Sequence, residues 1–313
     1  MKVIVAGGTG FIGRHVCQTL LANQHEIIVL SRNPAQARAH AHKKILFVDW
    51  NGLAHESDER LDGVEACINL AGEPIADARW TPRRKQTLID SRIITTRRLV
   101  EAIGRLRVKP KVLINASGIG FYGPADDVSM NESSPLGEGF LAELCQQWEY
   151  EANQATAHGV RVVCVRIGMV LGPDGGALSK MVTPFKACVG GPIAPGTQKV
   201  SWIHIHDLAR LFAWLLVRQT VSGPVNAVSP HCVTMQEFCK ILGKVLHRPS
   251  WLPVPGFSLK ILLGELSDIL TSGQQVEPQK ITHEGFTFTY PTLEPALTSL
   301  FQREPSSIET ANE

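Results

Sequence analysis

The chain lacks most of the features that assign a protein at sight. Its 313 residues carry 31 Lys+Arg against 29 Asp+Glu, a net charge of +2, so no excess of one sign points to nucleic acid or to an anionic membrane. No apolar run approaches the ~20 residues of a membrane-spanning helix. Residues 208–217 come nearest, but the run is too short and contains Arg210. The amino terminus offers one lysine, a four-residue apolar run and then glycines, which reads as a buried strand rather than a leader peptide. The seven cysteines form no CxxC pair and lie mostly inside apolar segments. That argues against a metal site or a disulfide framework and fits reduced thiols in a cytoplasmic protein. There is no internal repeat and no low-complexity tract.

What is present begins at residue 2. Lys2-Val3-Ile4-Val5-Ala6 runs straight into Gly7-Gly8-Thr9-Gly10-Phe11-Ile12-Gly13, a GxxGxxG turn. Glycines at 7, 10 and 13 let the backbone bend tightly, approach a pyrophosphate and pack a helix on the strand. The helix starting near Phe11 then aims its free N–H groups at the phosphates. A lone glycine pattern is weak evidence. Here a strand precedes it, an amphipathic helix follows (Val16, Leu20, Leu21), and a second strand covers 26–30.

Strands and helices alternate to about residue 170. The expected strands are 2–6, 26–30, 45–48, 65–70, 111–116 and 161–166; the main helices are 11–23, 82–107 and 137–157. Runs such as Val162-Val163-Cys164-Val165 are continuously apolar, as strands covered on both faces are. The fold class is therefore α/β, a Rossmann-type doubly wound parallel sheet with a smaller, mostly helical C-terminal substrate region. The expected division is a dinucleotide-binding domain over 1–170, with strand contributions from 200–230, a lid region over 171–301, and a flexible tail over 302–313. In the second region we expect helices at 178–189, 207–219, 234–246 and 258–270 and a strand at 200–205. Thr234 and Glu237 have the spacing of a capping box.

The end of the second strand selects the dinucleotide. An acid there holds the ribose 2′-hydroxyl of NAD; an arginine holds the 2′-phosphate of NADP. This chain has Leu30-Ser31-Arg32-Asn33-Pro34, with no acid. Ser31 supplies a hydroxyl and Arg32 a charge-assisted fork, so NADP(H) is the expected cofactor. The competing reading of Arg32 is a solvated surface cation. Asp49, after the third strand, is either an acceptor for the adenine amino group or a cap. Leu70, Ala71 and Gly72 follow the fourth strand and let the dinucleotide lie against backbone.

These motifs, with Phe121-Tyr122-Gly123, resemble the extended short-chain dehydrogenase/reductases, the sugar-nucleotide epimerase group. Gly72-Glu73-Pro74-Ile75, Arg79-Trp80-Thr81, Ser91-Arg92, Trp148-Glu149, Gly190-Gly191-Pro192-Ile193 and the run from Trp202 to Asp207 sharpen this. They resemble the epimerase-like subfamily that ends in a small domain of unknown function. The resemblance covers roughly residues 1–301. It implies that Ser31 and Arg32 contact the 2′-phosphate, that Leu70 and Ala71 line the cofactor channel, that Arg92 faces the cofactor, and that Val170 lies near the nicotinamide end.

The resemblance also exposes a gap. Typical members carry a Ser/Thr, a Tyr and a Lys, the Tyr relaying a proton while hydride moves. Aligned on Trp148-Glu149, Leu141 stands at the Tyr position and Cys145 at the Lys position. Tyr150 is followed four residues later by Gln154, which is no substitute pair. The usual hydroxyl position falls on Gly118, with Ser117 one residue earlier. Ser117 is either a substrate or nicotinamide contact or a strand-end cap. His204 is the other acid–base candidate, against the simpler reading of a hydrogen-bonded core or capping residue. Glu73, Arg79 and Trp80 lie where an acidic or planar substrate would be clamped. The function read here is an NADP(H)-binding epimerase- or reductase-like protein of unknown small-molecule substrate, monomer or homodimer, or else a non-catalytic NADP(H) sensor.

Overall fold

The computed structural model describes residues 1–38, 42–50, 59–254, 260 and 264–301. Its centre is a seven-stranded sheet in the order β11-β7-β5-β4-β1-β2-β3, every neighbouring pair parallel. The strands are β1 (Lys2–Ala6), β2 (Glu26–Ser31), β3 (Ile45–Asp49), β4 (Ala66–Asn69), β5 (Val112–Gly118), β7 (Arg161–Ile167) and β11 (Gly223–Ala227). The seventh strand thus comes from beyond residue 170, after the chain has left the sheet and returned.

Alternation along these apolar strands explains the two-layer cover. Val3, Val5, Ile27 and Val29 point to one face. There they pack on Val16 and Leu20 of α1 (Phe11–Ala22) and on Leu208, Leu211, Phe212 and Leu215 of α6 (Ile205–Val217). Ile4, Ala6, Ile28 and Leu30 point to the other face, against Leu99 and Ile103 of α3 (Pro82–Arg105) and Ala152 of α4 (Phe140–Asn153). Helix α3 begins as its sequence dictates. The Thr81 side chain accepts from Arg84 N, and Pro82 occupies the first turn.

The rest of the chain forms a separate apolar cluster around Trp202. Its helices are α5 (Gly176–Lys186), α7 (Met235–Leu246) and a C-terminal helix, Leu293–Phe301. The capping box of α7 is complete, with Thr234 and Glu237 satisfying each other's backbone N–H groups. Short strand pairs link this region to the sheet: β8 (Met169–Leu171) with β10 (Trp202–His204), β9 (Lys199–Val200) with β12 (Val233–Thr234), and β6 (Ala125–Met130) with β13 (Gln274–Val276). The expected strand at 200–205 is therefore split, and α6 starts at Ile205, earlier than its apolar spacing implied. The sequence reading missed the pairing of β6 with β13, because neither is a long apolar run. Residues 258, 259 and 261–263 of the expected helix at 258–270 and the whole of the tail at 302–313 lie outside the described residues; Leu266–Thr271 is helical. Five of the seven cysteines are buried, while Cys188 is exposed and Cys232 half-buried.

Candidate cofactor and active site

The glycine turn is sterically compulsory at two points. Gly7 has φ +77°, and a Cβ there would lie 2.6 Å from the Leu70 carbonyl. A Cβ on Gly13 would lie 2.2 Å from the Gly7 oxygen. Glycine at both is what lets α1 sit on β1 and lets the turn lie against the end of β4. Gly10 caps α1 without any side-chain hydrogen bond, and the first turn holds no acidic residue. The leading N–H groups have no intrahelical partners, and the positive end of the helix is not neutralised. This is an anion site by construction.

From that turn a cleft of about 860 Å³ runs along the carboxyl ends of β1, β2 and β4. Gly7, Thr9, Gly10, Ser31, Arg32, Leu70, Ala71, Gly72 and Glu73 all line it. A buried amide network shapes the β4 bank. Asn69 Nδ2 donates to Asn115 Oδ1 at 2.6 Å and to Thr96 Oγ1 at 2.8 Å, while its oxygen accepts from Ala71 N. Trp148 Nε1 donates to the same Thr96 hydroxyl. At the end of β2, the Ser31 hydroxyl accepts from Asn33 N, and Asn33 accepts from Gln36 N to start the helical turn Pro34–Arg38. Asp49 lies opposite Ser31 in the β2–β3 register. Arg32 is exposed, and among the described residues no hydrogen bond or ion pair engages its guanidinium.

Other sequence candidates lie away from this lining. Phe11, Ile12 and Gly13 form the first turn of α1, directly after the lining residues Gly7 to Gly10. Val170 is in β8, paired with Ile203. Arg92 is buried; its guanidinium donates to the carbonyls of Glu73 and Leu88 and lies over the Trp148 ring at 5.1 Å. Burial lowers it to about 10, a range in which it stays charged at neutral pH. Its contact with the Glu73 carbonyl fixes the segment after β4, so it shapes the cleft from behind. Trp80 is buried too, donating to the Ile75 carbonyl and meeting Phe140 edge to face. Arg79 lies against Gly264.

His204 is a cap, not a cleft residue. Its Nδ1 accepts from His206 N at the start of α6, its Nε2 meets Ser299 Oγ at 3.2 Å, and its ring lies 4.1 Å from that of Tyr290. Burial pushes it down to about 4. Of the two sequence readings of His204, this geometry matches the hydrogen-bonded cap rather than the acid–base group, because both ring nitrogens are engaged.

Ser117 belongs to a buried polar row that sequence inspection did not assemble. Ser117, Arg166 and Asn226 are successive register partners across β5, β7 and β11. Ser117 Oγ donates to Glu149 Oε1 at 2.7 Å. Arg166 clasps that carboxylate through Nε and Nη2 at 2.8 and 2.9 Å, and also donates to the Tyr122 hydroxyl, which in turn donates to Asn226. The signal was an arginine and an asparagine inside otherwise apolar strands. Leu141 packs against Gly120, and Cys145 is buried beside Gly118. Burial, reinforced by Glu149, pushes the Cys145 thiol up to about 11. Arg14, Gln36, His42, Phe47 and Trp50 also line the cleft and were not among the sequence candidates. They come from three separate segments with no shared motif.

A parallel sheet of this order, with an uncapped glycine turn at the crossover between β1 and β4, defines a Rossmann-type dinucleotide-binding protein. The model of the NAD dependent epimerase/dehydratase family matches residues 3–227, and that of a domain of unknown function, DUF1731, matches residues 254–300. The chain belongs to the NAD dependent epimerase/dehydratase family. It is 41% identical over 308 residues to the chloroplastic epimerase family protein SDR39U1 homolog of Arabidopsis thaliana, covering 96% of this chain and 87% of that one. It is 39% identical to the epimerase family protein YfhF of Bacillus subtilis, over 96% of this chain and 98% of the other. The crystal structure of human epimerase family protein SDR39U1 (isoform 2) with NADPH superposes with a TM-score of 0.87 at 34% identity, covering 96% and 99% of the two chains. A UDP-glucuronic acid 4-epimerase from Bacillus cereus shares the fold, with a TM-score of 0.77 at 18% identity over 96% of this chain and 97% of that one. Among the described residues no helix is long and apolar enough to cross a membrane.

Proposed function

We propose that this chain binds NADP(H) and acts as an epimerase- or reductase-like protein on a small molecule, without the Tyr–Lys proton relay. The observation that carries the cofactor choice is the end of β2. Ser31-Arg32 stands there with no carboxylate, on the same cleft as the uncapped start of α1. The residues fit the group: the cradle at Gly7 and Gly13 takes the diphosphate, and Arg32 takes the 2′-phosphate as a charge-assisted fork. The human relative crystallised with NADPH supports the same choice.

Bound NADPH supplies a hydride at its nicotinamide ring. The chain's own contribution is positioning. Arg92 fixes the segment after β4 through the Glu73 carbonyl. Ser117 has committed its proton to Glu149 inside the buried row, so it holds that carboxylate in place and is not a donor toward the substrate. With Leu141 and Cys145 at the relay positions, the proton that accompanies hydride movement is handled by another residue or by water rather than by a phenol.

The test is a fluorescence titration with NADPH and NADH, followed by NADPH oxidation against carbonyl compounds and sugar nucleotides. NADPH is expected to bind at least about tenfold tighter than NADH, a difference of ~1.4 kcal/mol. Equal affinities overturn the cofactor choice. A second reading is favoured by the apolar environment of Leu141 and the high thiol pKa of Cys145: NADP(H) held without turnover. Tight binding with no oxidation across the panel decides for it.

A further inference from the structure

Most of the dinucleotide cleft is built for negative charge. Arg32 stands at the end of β2, the uncapped start of α1 lies beside β1, and Arg14 lines the same wall. Glu73 breaks the pattern: it is the one carboxylate among the described residues that line the cleft. It follows Asn69, the last residue of β4, on the bank formed by Leu70 to Pro74. Strands β2 and β4 flank β1, so the ends that carry Arg32 and Glu73 are two strand spacings apart, about 10 Å, on opposite sides of the glycine turn. Glu73 is held there by its backbone. Its N–H donates to Ser91 Oγ at 3.1 Å, and its C=O accepts from Arg92 at 2.9 Å. Its carboxylate meets Arg84 through Oε2 alone, at 3.5 Å, which is long for a charged pair. Oε1 has no hydrogen-bond partner among the described residues. The two cations behind it are turned to backbone: Arg84 donates to the Pro74 carbonyl, and Arg92 to those of Glu73 and Leu88. A fixed carboxylate, 34% exposed and with a free oxygen, thus stands in a cleft whose other charged groups attract phosphate.

The dinucleotide offers one positive group. Its nicotinamide ring is positively charged when oxidised and neutral when reduced, and it lies at the far end of the molecule from the 2′-phosphate. With the 2′-phosphate on Arg32 and the diphosphate on the glycine turn, the ring falls on the β4 side of the cleft, the side of Glu73. We propose that Glu73 is the counter-charge of the oxidised nicotinamide ring, and that it tips the bound cofactor toward giving its hydride to a carbonyl substrate. The proposal deepens the NADP(H) reading above and rests on it. Loss of the hydride creates the positive charge on the ring, so a carboxylate there stabilises the outcome of that step more than its start. The carbonyl carbon gains the hydride with its two electrons, the carbonyl oxygen takes up a proton from water or a side chain, and the cofactor is left oxidised. NADP⁺ and NADPH carry the same phosphates, so the ratio of their Kd values isolates the ring. By linkage, a change in that ratio is the same change in the hydride-transfer equilibrium of the bound cofactor.

The experiment measures NADPH binding by fluorescence, and NADP⁺ binding by displacement of NADPH, in full-length wild type, Glu73→Gln, Glu73→Lys and Arg32→Ala. Glu73→Gln is expected to raise the ratio of the NADP⁺ Kd to the NADPH Kd about three- to fivefold, the upper range for a partly exposed charge pair. Glu73→Lys, which reverses the charge, raises it further. Arg32→Ala weakens both forms alike and leaves the ratio where it is. A ratio unmoved or lowered in Glu73→Gln overturns the proposal, as does a rise that Glu73→Lys does not exceed, since charge is then not its cause. A wild-type protein that binds no NADPH overturns the cofactor reading and the proposal with it, whereas NADPH binding with an unmoved ratio overturns the proposal alone.

Discussion

The carboxyl ends of β1, β2 and β4 and those of β5, β7 and β11 lie along one edge of one sheet, yet they treat polar groups in opposite ways. On the first side the polar groups are left open. The start of α1 is uncapped, Arg32 has no partner among the described residues, and glycines keep the surface at backbone level. On the second side each polar group is answered within the chain: Ser117 by Glu149, Glu149 by Arg166, Arg166 by Tyr122, Tyr122 by Asn226. Unsatisfied donors on an accessible wall are binding capacity, whereas the same groups buried without partners would destabilise the fold by several kcal/mol. The difference separates a surface built to receive a ligand from one built to hold a sheet and a helix in register.

Four substitutions or titrations bear on this contrast. The largest effect is expected of Gly13→Ala. The new methyl meets the Gly7 oxygen, so α1 must move, and NADPH binding should be lost altogether in a fluorescence titration. Wild-type affinity in that variant would break the open side of the comparison. Next is Glu149→Ala, which leaves Arg166 buried without a counter-charge and should cost about 3–5 kcal/mol in urea unfolding. The pair Glu149→Leu/Arg166→Met is expected to recover most of that loss; a harmless single variant would show that the row is not closed.

The third concerns pH. The folded pKa of His204, about 4, lies below the ordinary 6.5, so the unfolded chain takes up the proton first. The His204 contribution is complete above pH 6.5, falls as pH drops from 6.5 towards 4, and levels off below. It amounts to about 3 kcal/mol at most. His204→Asn, which keeps an acceptor at the cap, should flatten that part of the stability profile, and an unchanged slope would assign it elsewhere. The smallest effect is Arg32→Ala, which should weaken NADPH by about 1.5–2 kcal/mol, roughly 10- to 30-fold, and leave NADH untouched. Equal weakening of both would show that Arg32 reads something other than the 2′-phosphate.

Much of the open side was legible in the residues. Gly7, Thr9, Gly10, Ser31, Arg32, Leu70, Ala71 and Gly72 were all placed on the cleft by local pattern, and the structure brings them together. They sit at the ends of strands whose positions follow from short apolar runs, and each strand end reaches the same sheet edge. The closed side was not legible in this way. Trp148-Glu149 and Tyr122 stand in the sequence only as parts of short motifs, and Arg166 sits in its apolar strand with no partner nearby in the chain. Ser117 and Arg166 are 49 positions apart in sequence and meet through strand register. His204 looked like a titratable group because residue type alone carries no information on burial.

The sequence by itself determined the parallel sheet, the glycine turn and the absence of an acid after the second strand, since each depends on neighbours within a few residues. Only the tertiary structure decided which polar residues face a ligand and which face one another. That choice is made by strand order and by the packing of α4 and α6 against the sheet, contacts between residues far apart in the chain, whose energy depends on burial rather than on local pattern.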